Sequence, residues 1–294
     1  IGRSALLSST TANNNTAVGF CSLVANTTGA GNVAIGAFAL DASTTGANNV
    51  AMGEYALSSN TTAAENTAVG YVALSSSTTA TENTAIGRGA LQVTTTGAGN
   101  TAVGKNALNE NTTGFENVGM SVDSLASNTT GSGNVSIGPR ALCANTTGNN
   151  NISIGKSSAS WGGGQKLTTG NENVHIGYAT ASTATNVTGE MVISASGSGA
   201  VGKGSSTGFI NANGGGVYQG NNSSSWSTTS DRRIKKNITD NTIGLDKINQ
   251  IQVRNFEYRT AEEIDELPKH SAINKQGIQV GVIAQEIEEI LPDV

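Results

Sequence analysis

The chain is short of almost everything that builds a thick globular core. Of its 294 residues only 4% are aromatic, 13% charged and 36% apolar, with three prolines, two tryptophans, two histidines and two cysteines. So little bulky apolar material excludes one large hydrophobic interior. The low charge argues equally against a disordered chain, in which repulsion and missing apolar surface leave chain entropy unopposed. What remains is a thin architecture held together by backbone hydrogen bonds.

Further absences narrow the function. A net charge of −5 supplies no basic face, so no nucleic-acid partner is expected. No apolar run approaches the roughly 20 residues of a spanning helix, and no signal segment opens the chain, so membrane insertion is not expected. His175 and His270 have no partners at metal-ligand spacing, and neither a metal nor a cofactor is expected. Cys21 and Cys143 sit about seven repeats apart, roughly 34 Å at strand spacing and far beyond disulfide reach, so both read as small buried hydrophobes.

What the chain has is glycine, 38 of them, and period. A glycine stands at every 17th residue from Gly2 to Gly155, with Ser121 the single substitution. An apolar residue precedes each one, as Val18, Ile35 and Met52 do; leucine follows four later (Leu23, Leu40, Leu57), and asparagine stands four earlier (Asn15, Asn32, Asn49). A pair of threonines, such as Thr27-Thr28 and Thr44-Thr45, completes the unit. The pattern is already running at Ile1-Gly2, so the sequence is expected to begin inside a longer array.

Seventeen residues are too few for a helix pair or a propeller blade but suit one coil of a β-solenoid. Two short strands per coil are expected, turned by the glycine and by Asn-Thr-Thr-Gly, with like residues stacked in ladders. Successive strand side chains face opposite ways, so the alanine and valine columns cannot both line the interior. The face left over, read as one of alanine and glycine, would admit a second chain closely, which predicts a homo-oligomer. The threonine columns read as turn ladders, with a flat ice-binding array as the alternative.

Written out as Asn66-Thr67-Ala68-Val69-Gly70-Tyr71-Val72-Ala73-Leu74, the unit resembles the head repeats of trimeric autotransporter adhesins, and more closely the longer repeats of phage tail fibres. Over residues 1–177 the resemblance implies a mainly β fold, a left-handed parallel β-roll of 17-residue coils assembled as a homotrimer. The register breaks through Trp161-Gly162-Gly163-Gly164 and returns once at Asn173-Val174-His175-Ile176-Gly177. Residues 178–229 read as a β-rich connector of Gly, Ser and Asn.

Composition changes at Ser230: of 37 charged residues, 21 lie in the last 65. Helical spacing over Ile243–Ile251 and Ala284–Ile290, with strand patterns over Val253–Tyr258 and Ile278–Ile283, predicts a small α+β unit over 230–294. Ser230-Asp231-Arg232-Arg233-Ile234-Lys235 fits the pattern Ser-Asp-x-Arg-x-Lys. Gly216-Val217-Tyr218 lies upstream of it and Val280-Gly281-Val282-Ile283-Ala284-Gln285-Glu286-Ile287 downstream. Together they resemble the intramolecular chaperone autoprocessing domain of the S74 peptidase family, found in phage tailspikes and fibres.

The resemblance implies that this domain assists trimerisation and then cuts itself off at Thr229-Ser230, with Ser230 as nucleophile, Lys235 as its base, and Asp231 and Arg233 in support. Serine needs a neighbour to take its proton, and lysine can do so only when neutral, a state that burial or adjacent cations favour. The family's long C-terminal helix has no counterpart before Val294, so the domain is expected to be truncated. The reading is a virion tail fibre or tailspike binding a host receptor or glycan. The alternatives are the head of a cellular trimeric adhesin on a bacterial surface and an ice-binding solenoid.

Overall fold

The computed structural model describes residues 1–160, 162–212, 215–220, 226–228, 244–257, 263 and 277–291. Each repeat contributes one extended segment of three residues: β1 (Thr16–Val18), β2 (Val33–Ile35), β3 (Val50–Met52), β4 (Thr67–Val69), β5 (Thr84–Ile86), β6 (Thr101–Val103), β7 (Val118–Met120), β8 (Val135–Ile137) and β9 (Ile152–Ile154). Neighbours pair in parallel and in register, as in Ala51↔Ala68 and Ala68↔Ala85. The protein is thus a parallel β-solenoid with 17-residue coils.

Which column turns inward is decided by volume. Ala34, Ala51, Ala68, Ala85 and Ala102 are fully buried, whereas Ile35 and Ile86 remain 37% and 41% exposed. The interior is one coil thick and already holds Leu23, Leu40, Leu57 and their successors, all fully buried. At Gly119, in the alanine column, a Cβ would stand 3.2 Å from Leu108 Cδ1. One large and one small residue per coil fill the space, and a second branched column would overpack it. The expected outer face of alanine and glycine is therefore corrected: the outer column is branched aliphatic and methionine.

The expected two strands per coil are corrected as well. The leucines from Leu6 to Leu142 adopt a left-handed backbone with φ between 45° and 54°, and residues two positions earlier, such as Phe38, Tyr55 and Asp123, do the same. Alternating hand folds this segment into a compact turn that an extended strand cannot follow. The left-handed form costs an L-residue about 1–2 kcal/mol, while full burial of a leucine side chain contributes about 1.5–3 kcal/mol. Coils remain bonded there, Leu57 N–H donating to the Ala73 carbonyl at 3.0 Å.

Polar ladders complete the interior. Asn100 donates its backbone N–H (2.9 Å) and its Nδ2 (3.1 Å) to Asn83 Oδ1, and Nδ2 also to the Gly114 carbonyl at 2.9 Å. The bonds satisfy amides that are fully buried, without which each would carry a desolvation penalty. Thr112 Oγ1 donates to the Thr129 carbonyl at 2.9 Å, and Thr44, Thr95 and Thr129 repeat the contact. Such hydroxyls act as turn ladders.

The solenoid does not stop at Gly177. After β10 (Val174–Gly177) come a short β11 (Thr180–Ala181), β12 (Met191–Ser194), β13 (Ala200–Val201) and β14 (Gly208–Ala212). Val174 pairs with Ile152 across one longer coil, and the 17-residue step then resumes through Val174↔Met191 and Met191↔Gly208. This corrects the connector beginning at 178, since parallel coils run to Ala212. Only then does the chain turn antiparallel, through β15 (Gly215–Gln219) and β16 (Trp226–Thr228). Gln165 of the longer coil and Ser182 of the next bond each other in both directions, at 2.8 and 3.0 Å.

The core inverts over these last coils. Ala159 and Ala181 take the leucine positions, while His175, Val192 and Phe209 follow in the alanine column. The large residue now comes from the strand and the small one from the turn, conserving volume.

A second compact unit spans Ser230–Val294. It contains α1 (Gly244–Ile248), β17 (Arg254–Phe256), β18 (Gln279–Gly281) and α2 (Ala284–Ile290), with β17 and β18 antiparallel through Asn255↔Val280. These segments fall within the four that periodicity predicts.

Candidate functional site

Two features bear on function, the outer face of the solenoid and the junction with the C-terminal unit. On the outer face the first and third residues of each strand point away from the core. The third forms the column Val18, Ile35, Met52, Val69, Ile86, Val103, Met120, Ile137 and Ile154, one side chain per coil. The first adds Val33, Val50, Val118, Val135 and Ile152, with threonines at Thr16, Thr67, Thr84 and Thr101. β-Branched residues suit a strand, but a strip of this length left facing water is what an interaction face looks like.

The chain divides into compact units at Ile1–Thr229 and Ser230–Val294. Of the residues expected to carry cleavage, Thr229, Ser230, Asp231, Arg233 and Lys235 all lie outside the described residues, as does His270. Their flanks are described. Gly216-Val217-Tyr218 lies in β15, Val280-Gly281 closes β18, and Ala284-Gln285-Glu286-Ile287 opens α2.

Within the C-terminal unit Arg254 ties β17 to α2. Its Nε and Nη2 donate to Glu286 Oε2 and Oε1 at 3.1 and 3.0 Å, a two-pronged pair. With the side chains 47% and 39% exposed, solvent screening leaves it a modest orienting clamp. Periodicity places Glu286 on a helix but gives no sign of Arg254 as its partner.

A further buried cluster was only half legible. His175, read as lone, is fully buried with Nδ1 3.3 Å from Thr180 Oγ1 and Nε2 3.2 Å from Ser182 Oγ. Glu190 Oε2 faces its Nε2 at 3.6 Å, and both side chains are inaccessible to solvent. The signal for Glu190 was its place 17 residues after Asn173, in the asparagine column. Among the described residues no group of three or more His, Cys, Asp or Glu could hold a metal, and no helix is long and apolar enough to cross a membrane.

Residues 230–294 match the family model Peptidase_S74, described as the chaperone of endosialidase. The likeness begins where the solenoid unit ends. The chaperone-like unit found by sequence similarity and the compact unit found by geometry therefore share one N-terminal boundary, Ser230. No curated protein and no solved structure matches the chain.

Proposed function

We propose that the chain is a segment of a homotrimeric tail fibre or tailspike that attaches to a host surface, and that its chaperone-like unit assists trimerisation and then severs itself at Thr229-Ser230. The observation that carries this reading is the shared boundary: the family match and the compact unit both start at the serine of the Ser-Asp-x-Arg-x-Lys pattern. A chaperone-like unit joined to a repeat with an unpartnered aliphatic face fits the assembly of identical chains along that face.

Ser230 follows the bond it cuts, so attack of its Oγ on the Thr229 carbonyl is an N-to-O acyl shift. The C–N bond breaks as the ester forms, Lys235 relays the hydroxyl proton to the freed Ser230 amine, and water then hydrolyses the ester. Asp231 and Arg233 are the supporting residues of the motif. Intact-mass spectrometry of the chain beside Ser230→Ala and Lys235→Ala tests the reading: two fragments divided after Thr229 are expected for the parent chain alone. Attachment is tested separately, by binding of the assembled protein to host-cell glycans.

A further inference from the structure

We propose that the buried His175–Glu190 pair is a register pin, permitting the last coils of the solenoid to stack in one order only. The need arises from the repeat itself. Coils from Gly19 to Gly138 present the same leucine and asparagine columns and, Ser121 apart, the same glycine column, so a coil docked one repeat out of place meets almost the same partners. Stacking order is weakly specified wherever successive units are interchangeable.

His175 stands in the alanine column and Glu190 in the asparagine column of the next coil, 3.6 Å apart from Nε2 to Oε2. Glu190 keeps the ladder contact that any backbone can make, its N–H donating to Asn173 Oδ1 at 2.8 Å. Its carboxylate departs from the ladder. Oε1 accepts the Gly204 N–H at 2.7 Å, while Oε2 accepts no hydrogen bond and is faced by the imidazole. Gly202 packs so closely over Oε1 that a side chain there would collide with the carboxylate.

Against any coil bearing alanine instead of His175, that carboxylate would be buried without the imidazole that faces its Oε2, an unfavourable state. Native stacking alone avoids it. Buried polar pairs add little net stability, and fixing register is their best-attested use. The position suits the role, because the pair sits where the core inverts from the leucine pattern to Val192 and Phe209. The inference is independent of self-cleavage.

The test uses the full chain with His175→Ala, Glu190→Asn and both together, the double variant restoring the repeat's own residues. Urea unfolding is measured beside amide hydrogen exchange by mass spectrometry over 174–177, 191–194 and 208–212. His175→Ala is expected to lower the unfolding midpoint. The double variant is expected to recover it, yet to split these segments into a protected and an unprotected population where the parent shows one. A single protected population in the double variant, or an unchanged midpoint in His175→Ala, overturns the proposal. Should the double variant not fold, the exchanged pair His175→Glu with Glu190→His decides: one protected population supports the pin, and a split one overturns it.

Discussion

Asn49 Oδ1 accepts two hydrogen bonds from Asn66, one from its backbone N–H at 3.0 Å and one from its Nδ2 at 3.2 Å. The contact recurs along the column, so each interior amide is both donor and acceptor, and neither role survives replacement by an ordinary small residue. Asn66→Ser is expected to cost about 1–3 kcal/mol through unmatched polar groups. Asn66→Asp is expected to cost about 3–5 kcal/mol by burying an uncompensated charge. Urea unfolding of the two variants checks the order as well as the size.

The glycine column is set by space as well as by conformation. Gly70 has φ of +140°, and a Cβ there would stand 2.5 Å from the Gly87 carbonyl oxygen in the next coil. Gly70→Ala should therefore destabilise by about 3 kcal/mol or more. Gly162→Ala, with nothing within 4 Å, should stay within about 0.5 kcal/mol of the parent. Thermal unfolding of both variants separates a column effect from a general loss of glycine flexibility.

The period was legible because identical residues must recur wherever coils stack. The direction of the strand was not, since alternation at Ala68-Val69 says that the two face opposite ways and leaves the choice to the volume occupied by leucine. The last coils were hidden for a related reason. The ladder bond at Glu190 is made by its backbone, so the residue could change from Asn173 to Glu190 to Thr207 while the 17-residue step continued. In the C-terminal unit the motif and its flanks were legible, and Arg254 as partner of Glu286 was not, because 32 residues separate them.

Burial raises the carboxyl pKa of Asp41 above its ordinary 3.8, an effect only partly offset by the backbone N–H groups of Asp41 and Ala42. Its Oδ1 is buried without a hydrogen-bond partner. A raised folded-state value means that the folded chain binds the proton more tightly than the unfolded chain, so ionised Asp41 costs stability at neutral pH. Asp41→Asn should raise Tm at pH 7. The gain should fade as pH falls through the raised value toward the ordinary one, which paired melting curves at pH 7 and about pH 3 will show.

If identical chains meet on the outer aliphatic column, a charge there should disrupt assembly and spare the coil. Ile86 is 41% exposed in the single chain, so Ile86→Asp should change the far-ultraviolet circular dichroism little. Sedimentation should show the trimer lost, because three carboxylates would be brought together at one level of the seam. An unchanged trimer would place the interface on another face.

The decisive measurement is the intact mass of the denatured chain, expressed with and without Ser230→Ala. Cleavage after Thr229 in the parent and a whole chain in the variant is the expected result, locating the nucleophile and the bond together. A parent chain that stays whole, or a variant cut as the parent is, would contradict self-cleavage by Ser230.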